Sequence, residues 1–326
     1  MWLADPILKR RPVNVTRRLD PMSRTLFLSL RDVVTALGED GPVLLGCICS
    51  FPQMVSPLLR ASRDADAVLL LSPGGELANP RAHHLFFELV RSAAEKIGTS
   101  RPVVLLPPPV EVLSAGADTN AERVYSLLDA GYTSLTVMAR GLNSPELPRS
   151  IVETAGPALD HELGLEVLVE PGEEDDAGRV AGALRLLGAE TDLFGVWGGG
   201  GVGLAALSSE VEPIGCSWRE GDEDDELAEA LRNTIGSGAR MVTVRSVFSR
   251  AVIEGLPRAA RERLRGKVDE MGSTISLIPE ITMELEALSP DALDRVEARL
   301  YAEAEELLSL FRLEGTSTWI RDRLAG

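Results

Sequence analysis

Eight short apolar runs alternate with amphipathic stretches along most of this chain, and that alternation constrains its fold more than any other feature. The runs are Val43–Cys49, Ala67–Leu71, Val103–Leu106, Ser134–Met138, Leu165–Glu170, Asp192–Trp197, Glu212–Cys216 and Met241–Val244. Between them lie Met54–Ser62, Pro80–Ile97, Ala121–Ala130, Pro145–Leu163, Asp176–Leu187, Asp225–Ser237 and Phe248–Glu270, each with helical spacing of apolar residues. Strand-like runs separated by helical stretches read as parallel βαβ units. Most of the runs are apolar throughout, as strands covered on both faces should be. The expected class is therefore α/β, with a closed (βα)8 TIM barrel as the natural solution for eight units and a doubly wound sheet as the alternative. The link Gly198–Val211 has room for only a short helix.

Three segments follow from this pattern: an N-terminal arm over residues 1–27, a barrel over 28–272 and a helical extension over 273–326. The arm mixes Arg, Pro and Asp and reads as lying outside the core. A helix is expected over Leu28–Leu37, with Ser29 as its N-cap and Gly38 as its stop. The extension is rich in Ala, Glu and Leu. The apolar stripe over Val296–Phe311 suits either packing on the barrel or self-association, so a homo-oligomer is one expectation.

Charge and cysteine usage narrow the partners. The 326 residues carry a formal charge of −17 and a pI near 4.7, the opposite of the positive footprint that phosphate backbones require. Nucleic acid is therefore not expected, and a small anionic metabolite bound by local arginines is. No apolar run approaches the roughly 18 residues of a membrane span, so no membrane partner is expected either. The first residues, Met1–Arg18, place basic residues after apolar ones without a signal-peptide core. With three cysteines, Cys47, Cys49 and Cys216, and no disulfide framework, a reducing cytoplasmic location is expected.

Several segments, in order, resemble the class II fructose-bisphosphate and tagatose-bisphosphate aldolase family. Gly46-Cys-Ile-Cys-Ser-Phe51 is similar to the opening of the first unit, and Ala65–Gly74 to the second strand with its S-P-G ending. Leu128-Asp-Ala-Gly-Tyr-Thr-Ser134 is close to the family's lead into the fourth strand. Glu170-Pro-Gly-Glu-Glu-Asp175 resembles the fifth-strand segment, Ile235–Val244 the last strand and Glu306–Gly315 the C-terminal helix. The likeness runs from about residue 28 to residue 316. It implies a (βα)8 barrel and aldol chemistry on a phosphorylated carbonyl compound.

The departures bear on mechanism. The family binds zinc through histidines at strand ends, and its third strand ends in D-H. Here that strand reads Leu105-Leu-Pro-Pro-Pro109, which puts Pro108 and Pro109 where an acid and a ligand would stand. Trp197-Gly198 replaces the H-G after the sixth strand, and Cys216 takes the place of the seventh-strand histidine. His83, His84 and His161 fall on helices, so no zinc and no other cofactor is expected. A soft-metal set of Cys47, Cys49, Cys216 and Glu170 is the remaining alternative. Lys9, Lys96 and Lys267 are the only lysines, and none lies on a strand, which leaves no Schiff-base nucleophile.

Barrel sites collect at the C-terminal ends of strands. Those ends offer Ser72, Arg140, Glu170, Cys216, Ser217, Arg245 and Ser246, with the run Gly198, Gly199, Gly200 and Gly201. Glu170, closing an apolar strand, is the candidate for proton transfer if burial raises its pKa; pairing with an arginine is its structural alternative. Arginines and glycine N–H groups are candidates for holding phosphate, and a tight turn is the other reading of the glycines. Two functions follow. One is a diverged, metal-independent carbon–carbon lyase acting on a phosphorylated carbonyl compound or sugar phosphate. The other is a catalytically inactive homologue serving as a regulatory or partner subunit of an aldolase.

Overall fold

The computed structural model describes residues 5–112, 117–170, 172–199, 204–211, 214–220, 234 and 237–325; for residues 80, 117–119, 174 and 175 it describes the backbone alone. Among these, ten strands form one curled, all-parallel sheet. In chain order they are β1 (Leu26–Phe27), β2 (Leu44–Cys49), β3 (Leu69–Pro73), β4 (Pro102–Leu105), β5 (Val110–Val112), β6 (Ser134–Ala139), β7 (Gly164–Val169), β8 (Leu193–Trp197), β9 (Gly215–Arg219) and β10 (Met241–Val244). Their spatial order is β1-β4-β3-β2-β10-β9-β8-β7-β6-β5. The fold is an α/β barrel-like one, with helices following most strands.

Proline shapes the wall between β4 and β5. Residues 107–109 have no N–H to donate, so they cannot continue a ladder. The chain pairs with β3 before them and with β6 after them. Beside the break, Thr133 N–H donates to the Leu105 carbonyl at 3.1 Å, and Leu105 N–H donates to Thr133 Oγ1 at 2.8 Å.

Two apolar layers flank this sheet. Outward residues such as Cys47, Leu71, Leu105 and Val167 pack under the helices. Inward residues near the strand starts, Leu44, Leu70, Val104, Leu193 and Met241, pack on Leu26, Leu28, Leu30, Val33 and Leu37. These last come from β1 and the Leu30–Leu37 helix, which is capped by Ser29 and ended by Gly38 as expected. They plug the N-terminal end of the barrel. Ile7 and Ile320 complete the plug, so segments from early and late in the sequence share this cluster.

The N-terminal segment is thus part of the core and not an outlying arm. Ile7, Val15 and Phe27 are buried, and Asn14 Nδ2 donates to the carbonyls of Leu128 and Tyr132, both at 2.9 Å. Likewise the stripe on the Pro290–Leu310 helix is consumed within the chain. Val296, Leu300, Ala304 and Leu307 are buried, with Val296 against Gly255 of the Ser246–Gly255 helix. Among the described residues no helix is long and apolar enough to cross a membrane.

The seventh expected strand, Glu212–Cys216, is displaced to Gly215–Arg219. Of the expected run, Gly215 and Cys216 lie in the strand, while Glu212 and Pro213 lie outside the described residues. The real strand alternates Gly215, Ser217 and Arg219 inward with Cys216 and Trp218 outward, and its polar inner face hid it.

Close packing of plug and wall is testable at glycine. A Cβ on Gly164, at the start of β7, would stand 2.6 Å from the Arg31 backbone nitrogen, which cannot rotate aside. Gly164→Ala should cost about 1–3 kcal/mol in urea unfolding. Gly266, exposed within the Arg258–Met271 helix with nothing near its Cβ position, is the control. Gly266→Ala should stabilise the protein by up to about 1 kcal/mol.

Candidate functional site

Strand alternation decides which side chains enter the barrel. Above the apolar plug the inward positions turn polar: Ser72 on β3, Thr136 on β6, Glu166 on β7, Ser217 and Arg219 on β9 and Thr243 on β10 are all buried. Glycine makes room for them. A Cβ on Gly46 would collide with Thr243.

Arg219 and Glu166 organise this layer. Their side chains are 2% and 0% exposed, with Arg219 Nη1 3.7 Å from Glu166 Oε2. Ser217 Oγ donates to Glu166 Oε1 at 2.8 Å, and Thr136 Oγ1 donates to Oε2 at 3.1 Å. The guanidinium reaches Ser72 Oγ and, at 3.3 Å, the Pro107 carbonyl; it also lies 5.7 Å from the centroid of the Trp197 ring. The proline-interrupted wall thus supplies an acceptor inside the barrel. Burial pushes the Glu166 carboxyl upward while the Arg219 charge opposes the shift. Burial also lowers the Arg219 pKa, but a guanidinium remains charged in proteins.

At the rim, Arg140 bridges two acids on neighbouring strands. It pairs with Glu170 and, at 3.2 Å, with Glu111. Glu170 is 45% exposed at its side chain, so the burial that would suit it to proton transfer is not met there. That burial belongs to Glu166, four residues earlier on the same inward face. Glu166 and Glu220, the second buried acid at this end, are absent from the candidate set read at the strand ends. A lone Glu inside the apolar run Leu165–Val169 was the available clue to Glu166.

The remaining candidates divide. Ser72 and Ser217 join the Arg219–Glu166 network, whereas Cys216 does not. It lies second in β9, faces outward under the helices, and its thiol is pushed up to about 11 by burial. Gly198 and Gly199 adopt left-handed φ of 75° and 65°, but the Gly198 N–H donates to the Arg219 carbonyl at 2.8 Å. That N–H is already used in pairing the end of β8 with β9. Gly200 and Gly201 lie outside the described residues. Arg245 and Ser246 stand at the end of β10, where their main-chain N–H groups both donate to Glu220 Oε2.

The residues present do not fit the zinc of the resembled family. Among the described residues no group of three or more His, Cys, Asp or Glu side chains is placed to hold a metal ion. His83 Nε2 contacts the Ala78 carbonyl at 3.1 Å and His161 Nδ1 the Pro157 carbonyl at 2.8 Å, both away from the strand ends. Cys47 and Cys49 face the helix layer, and burial pushes both thiols up, away from the thiolate a metal needs. The soft-metal set is therefore not brought together. A cavity of about 790 Å³ does exist, but at the opposite end, beside Asp192, Gly215 and Arg240 at the strand starts. Barrel chemistry belongs to the C-terminal ends, so this cavity is not taken as the site.

No protein-family model matches the sequence, and no curated protein matches it. Solved structures do. The YdjI aldolase from Escherichia coli K12 superposes with a TM-score of 0.64 at 13% identity, covering 90% of this chain and 100% of that one. A protein assigned as a fructose-1,6-biphosphate aldolase from Coccidioides immitis gives 0.58 at 14% identity, with 89% and 98% covered. The chain has the fold of these aldolases.

The buried pair makes two predictions. Arg219→Met leaves Glu166 buried without its cation and should cost about 3–5 kcal/mol in urea unfolding. The second concerns pH. Because burial raises the folded-state pKa of Glu166, its contribution is full below the ordinary glutamate value and is lost as pH rises through the raised one. Glu166→Gln should therefore lose less stability than wild type as the pH is raised above the ordinary glutamate value, read by urea unfolding at a series of pH values.

Proposed function

We propose that this chain is a diverged aldolase-like (βα)8 barrel, with β4 and β5 as two halves of one barrel strand, whose C-terminal mouth binds a small phosphorylated carbonyl compound or sugar phosphate without a metal. The observation that carries this reading is the gathering of three guanidinium groups, Arg140, Arg219 and Arg245, at the C-terminal ends of β6, β9 and β10 in a barrel with an aldolase's fold. Guanidinium forks suit phosphate and carboxylate. Supporting it are buried polar atoms with no hydrogen-bond partner among the described residues: Ser50 Oγ, Thr243 Oγ1 and Arg219 Nε. A polar ligand is the chemistry such atoms match.

In this reading Arg140 at the rim holds the phosphate and Arg219 fixes the floor. Glu170, an exposed carboxylate that acts without the burial expected of it, takes the substrate hydroxyl proton as the adjacent carbon–carbon bond breaks to a carbonyl and an enolate, then returns that proton to the enolate carbon. One observation favours the second reading, a non-catalytic or regulatory homologue. Ser72, Ser217 and the Gly198 N–H are all engaged by the protein's own groups, and Glu170 is held by Arg140.

Release of triose phosphate from hexulose phosphates, assayed after chelator treatment, tests the lyase reading. Wild type should turn over, and Glu170→Gln should lose about a hundredfold in rate with ligand affinity kept. Binding without turnover would support the non-catalytic homologue. Absence of both would contradict the proposal.

A further inference from the structure

Toward the mouth the inward wall of β6–β8 turns apolar again. Met138 on β6 and Leu168 on β7 are register partners, both buried, and belong to neither the helix layer nor the plug. On β8, Phe194 and Val196 pack under the helices and Leu193 packs in the plug, so Gly195 and Trp197 face the barrel interior. A Cβ on Gly195 would collide with Ser217 Oγ, which makes Trp197 the next inward side chain of this strand. Its position is fixed by main chain. Trp197 pairs with Arg219 across the ladder, and Trp218 Nε1 donates to the Gly198 carbonyl at 3.0 Å. The Arg219 guanidinium lies over the indole, 5.7 Å from its centroid. Leu193 to Val196 are buried, and Trp197 alone of β8 is reached by solvent.

An aromatic face is apolar and carries a negative quadrupole, so it attracts polarised C–H groups and gives a bare anion nothing. Ligand sites set such apolar walls against a few placed polar groups. The two sides of this mouth divide in that way. Met138, Leu168 and Trp197 line the β6–β8 side. On the β2–β10 side, Ser50 Oγ and Thr243 Oγ1 are buried without a hydrogen-bond partner among the described residues. A sugar has the matching division, with hydroxyls at its edge and C–H groups on the faces of its carbon skeleton.

We infer that Trp197 is a specificity-determining residue whose solvent-reached indole takes the C–H face of a sugar skeleton, so the mouth prefers hexose-sized phosphates over triose phosphate and free phosphate. This rests on the ligand-binding reading above, in which Arg140 at the end of β6 holds the phosphate. Neighbouring strands lie about 4.8 Å apart, which puts the strand of the indole about 10 Å from that of Arg140. A six-carbon skeleton covers this gap more fully than a three-carbon one.

The test is calorimetric titration of fructose 6-phosphate, dihydroxyacetone phosphate and inorganic phosphate into wild type, Trp197→Phe and Trp197→Ala. Wild type should bind fructose 6-phosphate most tightly. Trp197→Ala should weaken that ligand by about tenfold, the size of one aromatic contact, and leave inorganic phosphate unchanged. Trp197→Phe keeps a smaller aromatic face and should recover most of the loss. A second readout needs no variant to fold: saturating fructose 6-phosphate should protect wild-type tryptophan emission from acrylamide quenching, and inorganic phosphate should not. Fructose 6-phosphate binding that ignores Trp197→Ala, or that gives no protection, would overturn the inference and leave the ligand-binding reading standing. An equal loss for all three ligands would make Trp197 a structural residue only and overturn the inference as well. Failure of all three to bind wild type would remove the ligand-binding reading, and the inference with it.

Discussion

The buried pairing of Arg219 with Glu166 is the interaction on which the rest of the site depends. Two charges withdrawn from water cost several kcal/mol each unless they meet one another and fill their remaining hydrogen bonds. Here the acid is met by Ser217 and Thr136, and the guanidinium by Ser72 and the Pro107 carbonyl. Those partners come from β3, the proline segment, β6, β7 and β9, so one network ties walls that are distant in sequence. It also separates an apolar plug below from a charged mouth above.

Much of the fold was legible because it depends on periodicity. Alternating apolar runs and amphipathic stretches specify parallel units wherever both faces of a strand are buried, and β2, β3, β6 and β7 meet that condition. Legibility failed where the inner face is polar. The inward Gly215, Ser217 and Arg219 leave β9 without a continuous apolar run, and the expectation fell three residues early. The N-terminal segment was misjudged for another reason. Ile7, Val15 and Phe27 are isolated among Arg and Pro, yet each is buried by contacts distant in sequence.

Site legibility followed the same division. Ser72, Arg140, Arg245 and Ser246 were reachable by reading strand ends, since position along a strand determines which end of a barrel a residue occupies. Cys216 was misplaced by the slip in β9. Glu170 was correctly put at the rim, but its exposure and its pairing with Arg140 are tertiary facts. Glu166 and Glu220 eluded the reading because an acid is recognisable as buried only once its partners are brought to it from elsewhere in the chain. The prolines at the end of the third strand and the histidines on helices are visible in sequence, whereas the outward facing of Cys47 and Cys49 is a tertiary fact.

The central claim is a mouth that holds a phosphorylated ligand by arginine and needs no metal. Its most direct test is calorimetric titration of dihydroxyacetone phosphate into protein that has been chelator-treated and analysed for zinc. Saturable binding at a zinc content far below one equivalent, unchanged when zinc is restored, is the predicted result. Binding that appears only with stoichiometric zinc would contradict the account.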